Sequence, residues 1–239
     1  PGRLVLLHGF TQTGESWAPV RAALGHPSVA PDLRGHGSAG SLRPVSFAAV
    51  LSDLDALVPD GAVLVGYSMG GRIALRYAFE RPGRLRGLVL VSASPGLADD
   101  GERAARADAD ARLADRIEQG PLDRFVDEWA DQPLFAGQTP EVVQAARTDR
   151  LRSTPEGLAA ALHGLGTTTM PPMWDRLGAL DLPVTLVVGE TDTKFCAIAE
   201  QMAGALPDAR LMVVPAAGHA VHLDQPGRVA RILAETFAG

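Results

Sequence analysis

The sequence predicts an α/β protein: a mostly parallel, doubly wound sheet, with a block of helices inserted between two of its strands. Three observations carry this. Apolar runs such as Leu4–Leu7 and Leu182–Val188 are continuous rather than alternating, the pattern of strands buried on both faces. Segments of helical period separate these runs, which gives repeated β-α-β units. From Pro95 to about Asp181 there is no strand signal, a stretch far longer than one crossover requires. Residues 1–94 and 182–239 are therefore expected to form the sheet core, and 95–181 an inserted helical cap.

In order, the first strand ends at His8-Gly9-Phe10, and a helix is expected from about Ser16 to Leu24. Ser28–Leu33 reads as a short strand, followed by a loop held by hydrogen bonds of Asp32 and His36. Apolar residues at 47, 50, 51, 54, 57 and 58 predict a helix over Phe47–Leu57. A strand from Val63 runs into Gly66-Tyr67-Ser68-Met69-Gly70, and a helix follows at once. Leu85–Ser92 is the next strand. Four helices are expected in the insertion: Asp99–Gln119, Pro121–Ala130, Thr139–Arg150 and Thr154–His163, the last two opening on a capping threonine before proline. Then come the strand at Leu182–Gly189, a polar turn at Thr191–Phe195 and a helix over Cys196–Ala205. Ala209–Val214 is the last strand, Ala216–Pro226 a loop and Val229–Phe237 a closing helix. The chain opens almost at its first strand, so the N-terminal edge strands of the sheet are expected to be shortened or absent.

A chain of 239 residues with 46% hydrophobic composition can bury a sizeable core. A formal net charge of −6 and no basic stripe argue against nucleic acid as a partner. The single Cys196 excludes a disulfide framework and suits a reducing compartment. No apolar run approaches the ~18 residues of a membrane span, and Leu4–Leu7 is too short for a signal peptide. The expectation is a cytoplasmic protein with no membrane partner. The histidines and the cysteine lack zinc-ligand spacing and there is no phosphate loop, so neither a metal nor a cofactor is expected.

The pentapeptide Gly66-Tyr67-Ser68-Met69-Gly70 carries the chemistry. Its glycines suit a turn in which strand and helix backbones nearly touch, and Ser68 falls at a helix N-terminus, where negative charge is favoured. The pattern resembles the nucleophile elbow of α/β-hydrolases. Ser68, Asp192 and His219 each follow a predicted strand end, in the chain order of that superfamily's triad. A histidine can take the serine proton, and a carboxylate can fix the histidine's tautomer. Gly218 before His219 supports that choice over His222, and Glu190 is a rival to Asp192. His8 reads as a strand-end histidine bonded to its neighbours. The backbone N–H groups of Phe10 and Met69 are the expected oxyanion hole.

Further motifs narrow the resemblance. Leu7-His8-Gly9-Phe10, Gly66-Tyr-Ser-Met-Gly-Gly-Arg72, Gly189-Glu-Thr-Asp-Thr-Lys-Phe195, Gly218-His-Ala-Val-His-Leu223 and Trp129-Ala-Asp-Gln-Pro-Leu-Phe135 together resemble the MenH family, the 2-succinyl-6-hydroxy-2,4-cyclohexadiene-1-carboxylate synthases of menaquinone biosynthesis. The likeness spans nearly the whole chain. It implies a lyase on an α/β-hydrolase fold that eliminates pyruvate from a small polycarboxylate, 2-succinyl-5-enolpyruvyl-6-hydroxy-3-cyclohexene-1-carboxylate. The triad would then act as a base without an acyl-enzyme. The resemblance implies substrate-binding roles for Arg72, Arg106, Arg150, Tyr67 and Trp129, with Arg147 and Arg152 as alternatives to Arg150. Position supports Arg72 independently, because it lies one helical turn beyond Ser68 and carries a fork of donors suited to a carboxylate. Arg34 departs from the family, which commonly has proline there. Two other readings of the residues stand beside the lyase. One is a serine hydrolase of esters or carbon–carbon bonds with the same triad; the other is a non-catalytic ligand-binding protein on the same fold.

Overall fold

The computed structural model describes residues 3–238. Its strands are β1 (Leu4–Leu7), β2 (Ser28–Val29), β3 (Ala62–Tyr67), β4 (Leu85–Val91), β5 (Val184–Gly189) and β6 (Ala209–Val214). They form one sheet in the order β2-β1-β3-β4-β5-β6, with every neighbouring pair parallel. β1, β3 and β5 are buried along their whole length, which is why their sequences run apolar without alternation. β2 at one edge has only two residues. Pro31, which has no N–H to give a ladder, follows closely.

Successive side chains leave a strand on opposite faces, and the two faces have separate cores. Leu4, Leu6, Val63 and Val65 pack with Trp17, Val20, Val229 and Leu233, from the α1 (Ala18–Leu24) and C-terminal sides of the chain. Val5, Leu7 and Leu64 pack on the other face with α2 (Phe47–Leu57) and α3 (Met69–Glu80). The chain steps outward from β1 to β2, then crosses back to β3. In open α/β sheets that reversal leaves a crevice beyond the strands' C-terminal ends. Here it lies between the residues following β1 and those following β3.

Between β4 and β5 stand four helices, α4 (Asp100–Gln119), α5 (Leu122–Ala130), α6 (Pro140–Arg150) and α7 (Pro155–Leu165), joined by loops and short 3-10 turns. The Asp99 carboxylate caps α4 by accepting the Glu102 N–H at 2.8 Å, and Thr139 and Thr154 cap α6 and α7. Ala114, Ile117, Phe125, Val126, Leu158 and Leu162 give these helices a small core of their own. Buried Asp149 of α6 ties them to the sheet, accepting from the Thr13 N–H at 3.0 Å and from the Thr13 hydroxyl.

Some boundaries differ from the sequence expectation. Residues Gly14–Trp17 form a 3-10 turn before α1. α8 (Thr193–Ala205) starts three residues earlier than Cys196, because the Asp192 carboxylate caps it. The loop after β6 contains a short helix, α9 (Val221–Asp224), and α10 (Pro226–Ala238) begins on a proline, which suits a first helical turn. Asp32 does hold the loop after β2, accepting from the Gly14 and Ser38 N–H groups at 2.8 Å each. His36 makes one long contact, Nδ1 to the Arg34 carbonyl at 3.3 Å, and otherwise packs edge-on against His8 and Phe10.

Candidate active site

The turn from β3 into α3 leaves no room for side chains at its glycines. A Cβ on Gly66 would lie 2.3 Å from the Gly70 carbonyl oxygen, and one on Gly70 would lie 2.4 Å from that of Leu7. Between them Ser68 is held at φ 50°, ψ −107°, a conformation disfavoured for a residue with a side chain. The Ser68 N–H donates to the Val91 carbonyl at 2.9 Å, and the next residue opens α3. The Met69 N–H is therefore one of the amides without an intrahelical partner.

His219 Nε2 lies 3.2 Å from Ser68 Oγ, and His219 Nδ1 lies 2.7 Å from Asp192 Oδ2. A carboxylate only accepts, so Nδ1 carries the proton and Nε2 is free to accept from the serine hydroxyl. The other Asp192 oxygen accepts the Phe195 N–H at 3.2 Å. The same residue thus caps α8 and orients the histidine. Glu190 is turned to the Ala216 N–H, 3.2 Å away. His222 is fully buried between Trp17 and Tyr67, with ring centroids 4.6 and 4.3 Å away and neither nitrogen partnered; burial lowers its pKa to about 3. A Cβ on Gly218 would meet nothing closer than 3.5 Å, so space alone does not require glycine before His219. Gly189 is the constrained glycine: its Cβ would fall 2.1 Å from the Gly218 carbonyl oxygen. His8 is structural, with Nε2 accepting the Leu33 N–H at 2.9 Å, Nδ1 beside the Gly9 carbonyl at 2.8 Å, and burial pushing its pKa down.

A cavity of about 230 Å³ opens over Ser68 and His219. Phe10 and Met69 line its floor, and Trp129 of α5 and Leu162 and Leu165 of α7 its roof. The Trp129 and Phe10 rings meet edge to face at 5.3 Å. Three cations line the cavity, Arg72, Arg106 and Lys194, and its lining contains no aspartate or glutamate. Arg72 is buried, and one of its guanidinium nitrogens donates to the Leu165 carbonyl at 3.0 Å. Burial first, and then the charge of Arg106, lowers its pKa to about 10, so it remains cationic at neutral pH. Arg106 bonds Asp110 at 2.7 Å from the next turn of α4.

The remaining arginines separate. Arg150 is 1% exposed and does not line the cavity; its guanidinium sits 5.1 Å from the centre of the Phe135 ring, and burial lowers its pKa. Arg147 pairs with Asp127 at 2.6 Å on the surface, and Arg152 lines a different cavity beside α1. Tyr67 lies behind the cavity wall rather than in it, buried against His219 at 5.4 Å and His222; burial raises its pKa. Sequence reasoning did not single out Lys194, Phe195, Ser94 or Gln132 as cavity residues. Lys194 could have been noticed, because it stands two positions after Asp192 at the start of a helix.

The arrangement is a serine base or nucleophile with a complete relay, under a roofed cavity that favours anions. The class this defines agrees with the comparisons. The alpha/beta hydrolase family model matches residues 4–232. A Bacillus subtilis (strain 168) protein, provisionally described as a 2-succinyl-6-hydroxy-2,4-cyclohexadiene-1-carboxylate synthase, is 39% identical over 97% of this chain and 89% of its own. An Enterobacter sp. (strain 638) synthase of the same description is 37% identical over 97% and 90%. Among solved structures, MenH from S. aureus superposes with a TM-score of 0.92 at 28% identity, covering 99% of this chain and 93% of its own. A malate-bound thermophilic esterase from Thermogutta terrifontis reaches 0.82 at 28% identity, covering 100% and 90%. The chain belongs to the alpha/beta hydrolase family and, within it, to the MenH family of 2-succinyl-6-hydroxy-2,4-cyclohexadiene-1-carboxylate synthases.

Proposed function

We propose that the protein is a carbon–oxygen lyase that removes pyruvate from 2-succinyl-5-enolpyruvyl-6-hydroxy-3-cyclohexene-1-carboxylate, with Ser68, His219 and Asp192 as a proton relay. The observation that carries this is the cavity lining: the serine–histidine pair shares one chamber with three cations and no carboxylate. A substrate with three carboxylates fits such a chamber, whereas a neutral ester would bring no charge to match the cations there.

The substrate's acidic hydrogen is on C2, next to the succinyl ketone. His219 draws the proton from Ser68, whose oxygen takes the C2 proton. Charge develops on the ketone oxygen, where the Met69 and Phe10 N–H groups stabilise it. The electrons then move to C2=C3 and C4=C5 as the C5–O bond breaks. No bond to Ser68 Oγ forms, so no acyl-enzyme is required. Arg72 and Arg106 bind carboxylates, Trp129 closes the apolar roof, and Tyr67 supports His219 from behind. Arg150, off the cavity and, among the described residues, without a carboxylate partner, serves by holding Phe135 and the roof. The lone cysteine agrees with a cytoplasmic setting, and no described helix is long and apolar enough to cross a membrane.

The test is pyruvate release from that substrate, beside hydrolysis of p-nitrophenyl acetate. Ser68→Ala is expected to lower kcat by about 10³-fold or more. Arg72→Ala should lower kcat/KM by about 30- to 100-fold, the size of a lost charge-assisted hydrogen bond. The second reading, a serine hydrolase, is favoured by the complete hydrogen-bonded triad, which could equally support acyl transfer. Ester turnover without pyruvate release would establish it instead.

A further inference from the structure

A second cavity, about 520 Å³, adjoins the first and lies between the start of α4 and α8. Ser94, Arg106, Thr167, Lys194 and Phe195 line both chambers, so they form the partition between them. Ser68 and His219 line only the inner one. The outer chamber therefore shares a wall with the site of chemistry; Arg106 and Lys194 stand in that wall, and Asp99 and Glu102 line the chamber beyond it.

The three cations are not equivalent. Arg72 is buried and anchored on the Leu165 carbonyl, deep in the inner chamber. Arg106 is tied to Asp110. Lys194 is exposed and, among the described residues, makes no ion pair and no side-chain hydrogen bond. A lysine is also a point charge on a flexible stem, able to follow a group that moves.

Given the lyase reading, on which this inference rests, the leaving group carries one carboxylate and must exit, while the ring and its succinyl chain stay over Ser68. We propose that Lys194 holds the carboxylate of the enolpyruvyl group, and that the outer chamber is the exit for pyruvate. When the C5–O bond breaks, its electron pair leaves with the oxygen as the pyruvate enolate. The proton taken from C2 is available to return to the enolate carbon. Lys194 stabilises the anion before, during and after that step, so its effect falls mainly on substrate binding.

The distinguishing comparison is between substrate and ring product, because only the substrate has the enolpyruvyl carboxylate. Pyruvate release would be followed for wild type, Lys194→Met and Lys194→Arg, with the ring product as a competitive inhibitor. Lys194→Met should raise the substrate KM about tenfold, leave the product Ki within about twofold, and be largely rescued by Lys194→Arg. The pH profile of kcat should not move; a shift would mean that Lys194 acts through neighbouring Asp192, and would overturn the proposal. Equal weakening of substrate and product, or no weakening of either, would also overturn it. Failure of the lyase reading looks different: the wild type would release no pyruvate, and this inference would fall with it.

Discussion

The floor and the roof of the cavity are built on different physical terms. The floor is backbone at contact distance: Gly66, Gly70 and Gly189 each face a carbonyl oxygen where a Cβ would collide, and Ser68 is held in a strained conformation between two of them. Its histidines His8, His36 and His222 are fully buried, and burial lowers the pKa of each. The roof is side-chain packing. Of α4, only Asp110, Ala114 and Ile117 are buried, and the helices share a small core of their own. The floor therefore fixes distances on which proton transfer depends, while the roof supplies shape and charge with more tolerance. Arg72 bridges the two, rooted in α3 and bonded to the end of α7.

This contrast can be broken by single changes, the largest at the elbow. Gly70→Ala puts a methyl 2.4 Å from the Leu7 carbonyl oxygen, so β1 and α3 must move apart. The expected cost is about 2–3 kcal/mol in a urea melt. Displacing the Met69 N–H should also lower kcat/KM about 100-fold. A near-native result would mean that the floor is as tolerant as the roof.

Acid should weaken the floor next. His36 and His222 have folded pKa values of about 3 against 6.5 unperturbed, because burial disfavours their charged forms. Between those values the unfolded chain binds protons that the folded chain does not. Their contribution is fully present above about pH 6.5 and is lost progressively as pH falls towards 3. The urea midpoint should drop between pH 7 and 4, and His222→Phe, which keeps an aromatic ring between Trp17 and Tyr67, should flatten that slope. An unchanged slope would show that His222 is protonated without penalty.

The smallest effect is expected on the roof's outer surface. Arg124 and Glu128 of α5 are paired at 2.9 Å with side chains 77% and 45% exposed. Arg124→Ala should change stability by less than about 0.5 kcal/mol and leave pyruvate release unaltered. A loss of activity there would show that α5 transmits surface changes to Trp129.

The sequence by itself determined the sheet, the elbow and the order of the triad. These rest on local physics: strands buried on both faces read as continuous apolar runs, and a turn without room for Cβ atoms requires glycine. Asp192 and His219 were legible because each follows a strand end, where a parallel sheet gathers its loops. Tertiary structure decided which charges face the cavity. Arg72, Arg106 and Arg150 look alike in sequence, yet packing turns the first two into the cavity and lays Arg150 over Phe135 behind it. Lys194 reaches both chambers because Asp192 caps α8 and starts that helix at Thr193. A helix's own sequence fixes which residues share a face, but the direction of that face is set by what the helix packs against, and that contact is made by residues far away in the chain.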